Sequence, residues 1–354
     1  MKTVFNAKSL RRKVATFSFG VSRRFILFAA LLHCIFALSI SATAQGLPLA
    51  TPASVGMNAA KLDQIEALVN ADIADKKLPG AVVIVGRKGK IVYRKAFGNR
   101  ALVPTVEKMT VDTIFDVASL TKPVATATSI MILIEQGKLR LNDTVGKFFP
   151  EIADEQAKRI TVLQLLTHVS GYRPDFDLGE KWSGQLGMLA ALNREKLRNL
   201  VGTRFVYSDI NFEVLGQIVH KVSGERLEDF VSKWARAAGM SDSGFIPFKP
   251  AGDSSEIFPV ANLATAYRSR IAPTENVRGQ NSYLGSTFTG DESSGNEILR
   301  GKVHDPTSFR MGGVAGHAGL FSTADDLARY AQMLLNGGVV PDWNGRAGRV
   351  GGTP

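Results

Sequence analysis

The sequence predicts a mixed α/β fold of the α+β kind. Residues 81–98, "AVVIVGRKGKIVYRKAFG", hold two β-branched runs on either side of a Gly- and Lys-rich turn, which predicts an antiparallel hairpin. Beyond it, apolar residues recur at helical spacing in one segment after another, as far as residue 335. Apolar residues make up 45% of the 354 and charged residues 21%, a balance that excludes a disordered chain and a multi-span membrane protein.

Each element has a local reason. A helix is expected over 58–74, with Leu62, Ile65, Leu68, Val69 and Ile73 on one face and Pro79-Gly80 as the stop. The hairpin follows. A helix then starts near Ser119, where Pro123 is tolerated only in a first turn, and ends at Gly137, a left-handed cap. "RITVLQLLTHVSGY" predicts a short helix from Thr161, and 172–206 reads as mixed helix and loop. Phe212, Leu215, Ile218, Val219 and Val222 form one helical stripe; Leu227, Phe230, Val231 and Trp234 form the next. Residues 250–300 are polar, rich in Gly and Ser, and expected to loop. In "STADDLARYAQMLLNGG", Ser322 is placed to cap a last helix, Asp325 and Asp326 suit its positive end, and Gly337 stops it. Nothing strand-like is expected after the hairpin, and two strands alone make a poor sheet.

Charge is unevenly spread. Residues 1–44 carry seven Lys or Arg and no acid, so setting them aside lowers the net charge from +11 to +4. That remainder points to no nucleic-acid partner. The same stretch reads as an export signal: basic residues, then "FILFAALLHCIFALSI", then Ala42-Thr43-Ala44, with cleavage expected after Ala44. The alternative is an uncleaved membrane anchor. "SRRFIL" loosely resembles a twin-arginine signal. Cys34, the single cysteine, falls within this segment, so residues 45–354 offer no disulfide and no thiol nucleophile; no paired Cys/His spacing for zinc occurs. A periplasmic or secreted location follows as an expectation.

The chemistry centres on "SLTK". Ser119 and Lys122 stand three residues apart, on one face of a helix, so the amine can reach the hydroxyl. Burial by the apolar turns that follow would favour a neutral amine able to act as base on a serine that is otherwise a poor nucleophile. N–H groups at the helix start could support developing negative charge. The bland alternative is a capping serine and a solvated lysine. A second turn, Tyr207-Ser208-Asp209, precedes an amphipathic helix. A phenol beside a lysine can serve as general base and then acid, and Asp209 can bond the lysine or a substrate amide. The bland reading makes Asp209 the N-cap.

Together these motifs resemble the serine β-lactamase and penicillin-binding-protein family, closest to its class C, DD-peptidase and esterase-like branch. Ser119 and Lys122 match the family's Ser-x-x-Lys; Tyr207 and Asp209 match its Tyr-x-Asn, with Asp for Asn. "FDVASLTKP", "ITVLQLLTHVSGY", "GMSDSGF", "IAPTE" and "VHDPTSFRMGGVAGHAGLFSTADDLARYAQMLLNGG" match as flanks, so the likeness runs from about residue 54 to 338. The resemblance implies a β-lactamase/transpeptidase-like fold: an antiparallel sheet flanked by helices, plus an all-helical subdomain. It implies catalytic roles for Ser119, Lys122 and Tyr207, a substrate-binding role for Asp209, and no metal or organic cofactor. The substrate would be a small molecule or peptidoglycan peptide: a β-lactam, a D-Ala-D-Ala peptide or an ester.

The family's third motif, Lys or His, then Thr or Ser, then Gly, lies on a later strand. His317 to Gly319 is not assigned to it, because in the family that block precedes the helix matching 323–335. Residues 339–354, Gly- and Arg-rich, do not resemble the family's continuation. The expected organisation is therefore a signal peptide at 1–44, a hydrolase domain at 45–338 whose C-terminal strands are missing and whose sheet is incomplete, and an atypical tail at 339–354. A binding protein that recognises penicillin without turnover, or an inactive fragment, is the alternative. His168, His220, His304 and His317 share no metal spacing. His220 is expected to be solvated, His304-Asp305 to make a structural hydrogen bond, and His317→Ala to be mild.

Overall fold

A computed structural model describes residues 47–250, 267–278, 282–284, 298–340 and 348–349. The proposed leader lies outside the described residues, as does much of 250–300. Among the described residues no helix is long and apolar enough to cross a membrane.

Helix α1 (Ala59–Ala74) is capped by Asn58, whose side chain accepts from the Lys61 N–H at 3.3 Å. Its apolar face is narrower than the spacing predicts. Leu62 is buried, but Leu68 is 68% exposed and meets solvent. The hairpin forms as expected: β1 (Gly80–Arg87) pairs antiparallel with β2 (Lys90–Ala101). Both turn residues have positive φ, Lys88 at 53° and Gly89 at 71°. That pattern matches the right-handed twist of paired strands. A short β3 (Glu107–Lys108) adds to the far side of β2, and α1 packs on this sheet.

The chain then runs through β4 (Phe115–Asp116), the Ser119 turn and α2 (Thr128–Glu135). Gly137, at φ 70°, follows the end of α2 as predicted. An all-helical region comes next: α3 (Val145–Phe148), α4 (Glu155–Lys158), α5 (Val162–Leu166), α6 (Gly184–Arg194), α7 (Asp209–Ser223) and α8 (Leu227–Ala237). The start of α5 is a capping box between Thr161 and Gln164. Helix α7 is the centre of the main core. Ile210, Val214, Leu215, Ile218 and Val219 are fully buried, among Ile130, Leu133, Leu165, Met188 and Trp234. Burial extends beyond the predicted stripe and takes in Asn211 and Glu213.

After β5 (Gly244–Phe245) come α9 (Pro306–Arg310), β6 (Leu320–Ser322), α10 (Ala324–Leu335), β7 (Val339–Val340) and β8 (Gly348–Arg349). The N-cap of α10 is Thr323, which accepts from the Asp326 N–H; Ser322 instead belongs to β6, which corrects the predicted cap. Helix α10 packs on β1.

The expectation of no strand after the hairpin is overturned. β6 lies between β4 and β5, antiparallel to both, with Phe115 opposite Ser322, Asp116 opposite Phe321 and Gly244 opposite Phe321. Strands of two or three residues carry no readable alternation, so the pattern could not reveal them. This small sheet positions the site: it fastens the turn holding Ser119 to the loop that ends at Leu320. β7 pairs with β8 within the predicted tail.

Candidate active site

The Ser119 turn is held from several sides. Ala118, at φ 47°, enters a 3-10 turn, Ala118–Leu120, that leaves Ser119 exposed. Asp116 braces it: one carboxylate oxygen accepts the Ala118 N–H at 2.9 Å and the other the His304 N–H at 2.8 Å. Burial pushes the Asp116 carboxyl above its ordinary value, against the pull of these two N–H groups. From the β6 side, the Val117 N–H donates to the Leu320 carbonyl at 3.0 Å, and the Leu320 N–H donates to Thr121 Oγ1 at 3.1 Å.

A π-helical turn, Lys122–Ala127, follows and passes into α2. The predicted helix is therefore irregular at its start, tight at the serine and wide at the lysine. Single π turns recur at functional sites. The wide turn lets Thr126 Oγ1 donate to the Gly316 carbonyl at 2.6 Å, so the loop before β6 lies against it.

Lys122 is 3% exposed. Its ammonium donates to Ser119 Oγ at 2.9 Å and to the His317 carbonyl at 3.3 Å, and lies 2.6 Å from Asp209 Oδ1. The Tyr207 ring centroid is 4.7 Å from Nζ. The four residues singled out in the sequence are thus brought to one place. The buried amine takes Asp209 as its counter-charge, one of the two partners the sequence allowed for that acid. One detail differs from expectation. Tyr207 meets the amine with its ring, a cation–π contact. Asp209 is the first residue of α7, the N-cap being Ser208, and its carboxylate faces Lys122 rather than capping the helix.

Behind Lys122 lies a charge cluster that sequence reading missed. His317 is fully buried, with Nε2 2.8 Å from Asp305 Oδ1 and Nδ1 3.3 Å from Glu213 Oε1. Burial would lower the imidazole, but the charge and hydrogen bond of Asp305 push it up to about 10. Burial would raise Asp305; His317 instead brings it below the usual carboxylate range. Glu213 is pushed well above that range by burial, and Asp175, for the same reason, to about 6. Asp305 also accepts the Ser308 N–H at 2.7 Å and so caps α9. His317 is thus a buried residue held between two acids, a setting the sequence reading did not foresee. One signal was available: Glu213 follows Asp209 by four residues, so the two acids share one face of the helix.

Donor atoms of Asp209, Asp305 and His317 lie within 4.8 Å of one another, close enough to hold a cation. Asp209 is already engaged by Lys122 and Asp305 by His317, so two cationic side chains occupy that role. His220 is exposed, as expected, with Nδ1 2.9 Å from the Glu225 carbonyl.

Fold and site together define a class: mixed α/β proteins in which a serine and lysine one turn apart head a buried helix, faced by a second turn bearing a tyrosine and an acid. Residues 65–350 match the β-lactamase family model, and the chain belongs to that family of serine hydrolases of the β-lactamase and penicillin-binding type. A relative from Escherichia coli (strain K12), named for D-alanyl-D-alanine carboxypeptidase activity, is 30% identical over 344 residues, covering 90% of this chain and 74% of the relative. An N-acetylmuramyl-L-alanine amidase of Bacillus subtilis (strain 168) is 30% identical over 300 residues, covering 78% of this chain and 64% of the amidase. A class C β-lactamase of known structure superimposes with a TM-score of 0.58 at 24% identity, covering 77% of this chain and 65% of that one, a likeness of fold. This chain thus spans somewhat less than two thirds of the lactamase and amidase lengths.

Proposed function

We propose that the protein is an acyl-transfer hydrolase in which Ser119 is the nucleophile, Lys122 and Tyr207 move protons, and Asp209 holds Lys122 and faces the substrate. The observation that carries this is an exposed serine whose Oγ lies 2.9 Å from a lysine nitrogen that is itself buried. An ammonium has no lone pair, so the step begins once the amine, or the phenol against it, is free to accept the serine proton. Ser119 Oγ then bonds to the substrate carbonyl carbon. The bond to the leaving nitrogen or oxygen breaks, and the proton taken from Ser119 is delivered to it by Tyr207, which either took it as phenolate or donates its own and is reprotonated by Lys122. Water repeats the sequence on the acyl ester and frees Ser119.

The substrate class best supported is a peptidoglycan peptide ending in D-Ala-D-Ala, since the E. coli relative is named for that activity. A β-lactam presents the same acyl chemistry. The basic, then apolar, leader supports action outside the cytoplasm.

Labelling with a fluorescent penicillin tests the reading. A covalent band on the wild-type chain that is absent in Ser119→Ala is the expected result. Release of D-alanine from a D-Ala-D-Ala peptide separates carboxypeptidase from lactamase. A folded chain that neither labels nor hydrolyses either substrate would leave only the alternative of a non-catalytic family member.

A further inference from the structure

His168 lies outside the four residues assigned above, yet its neighbours are among them. It is only 9% exposed, and its backbone is in the left-handed region, φ 58°. A residue other than glycine seldom adopts that conformation unless its surroundings impose it. The reason is visible in its hydrogen bonds. The His168 carbonyl accepts the Val206 N–H at 2.9 Å, and its Nδ1 accepts the Ser208 N–H at 3.1 Å. The backbone on both sides of Tyr207 therefore hangs on this residue. Its ring lies 4.6 Å from the Tyr207 ring, with 30° between their planes, and 5.2 Å from Phe212. Tyr207 in turn meets Lys122.

We propose that His168 is a positioning residue: as a neutral imidazole it holds Tyr207 against Lys122, and when it gains a proton it lets go. This rests on the role given to Tyr207 above. Nδ1 can accept the Ser208 N–H only while it carries no proton, which places the ring hydrogen on Nε2. A second proton would set a donor against a donor and add a cation beside Lys122. The titratable groups facing the imidazole are Lys122 from the π turn, and Tyr207 and Asp209 from the entrance to α7; Asn211, 3.4 Å from Nδ1, is polar but neutral. Burial and then the charge of Lys122 bring His168 below its ordinary value, with Asp209 opposing, so the neutral form prevails near pH 7.

Asparagine is the informative replacement. It tolerates left-handed backbone, and its side-chain carbonyl reaches where Nδ1 sits, but it does not titrate. Glutamine carries its carbonyl farther out, toward the place of Nε2. Two measurements on the full chain test the idea, with circular dichroism confirming folding. The first follows the Ser208 amide resonance of the nitrogen-labelled protein from about pH 4.5 to 7.5. The second follows the rate of fluorescent-penicillin labelling over the same range. In the wild type the amide should move with a midpoint below the ordinary histidine value, and labelling should fall on the acid side with that midpoint. His168→Asn should lose both the inflection and the acid limb, and should label at least about tenfold faster at low pH than His168→Gln at its best pH. A Ser208 amide that does not titrate, an inflection that survives in His168→Asn, or equal labelling in all three proteins would overturn the proposal. If the wild type does not label at all, the functional reading fails instead, and the amide titration alone decides this one.

Discussion

At Lys122, burial and charge act on one atom. A lone ammonium at 3% exposure would be costly, and Asp209 at 2.6 Å offsets that cost. Replacing it by a chain of similar length without charge, Lys122→Met, should lower the acylation rate by about 10²–10⁴, the usual worth of a positioned base. Penicillin labelling at several concentrations measures this, and a variant that labels at the wild-type rate would remove Lys122 from the chemistry. His317 makes a stability prediction. Folded, it holds its proton up to about pH 10; unfolded, it loses it near 6.5, the ordinary histidine value. Its contribution is therefore complete below about pH 6.5 and is lost as the pH rises toward 10. The melting temperature should fall between these limits, and the part due to His317 should be missing in His317→Gln. An unchanged slope in that variant would show that the proton is not held there. Of these residues, Ser119, Lys122, Tyr207 and Asp209 were legible, because each pair is close in sequence. His168 and His317 were not, because the groups that define them arrive from distant parts of the chain.

Helix α7 and the loop before β6 meet backbone to backbone. A Cβ on Gly316 would run into the Phe212 carbonyl oxygen, and one on Gly216 would press more mildly on Gly316 from the other side. This contact keeps the His317 carbonyl within reach of Lys122. Gly316→Ala should therefore act twice, lowering stability by about 1–3 kcal/mol through overpacking and slowing acylation more than that loss alone explains. Urea unfolding and labelling rates at one temperature compare the two; normal labelling in a destabilised variant would show that the loop's position is not critical. Caps act locally by contrast. Thr161→Ala removes one half of a capping box and should cost about 1 kcal/mol in the same unfolding experiment, with labelling unaffected. The helices were readable from period and punctuation, since an amphipathic stripe and a capping residue are both local. The irregular start at Ser119 was not. Nothing in "SLTK" says that a 3-10 turn passes into a π turn, a geometry stabilised by the Thr126 bond to Gly316 and the Asp116 bond to Ala118.

Over the whole molecule, the hairpin, the helical region and the small β4–β6–β5 sheet are the large parts, and the site lies where the last two meet. The basic leader adds a prediction at this scale. Expressed in a Gram-negative host, the chain should be recovered outside the cytoplasm with its N-terminus at Gln45. Mass spectrometry of the periplasmic fraction checks this; a cytoplasmic chain retaining Met1 would refute export. Local order was enough to determine the hairpin, the helices, the family and the two motifs, because propensity, periodicity and short spacings act between near neighbours. Only the tertiary structure decided that Lys122 has a carboxylate partner, that His317 is charged between two acids, and that His168 supports Tyr207. Burial and Coulomb interactions depend on distance in space, and here the partners are as far apart in sequence as Glu213 and His317.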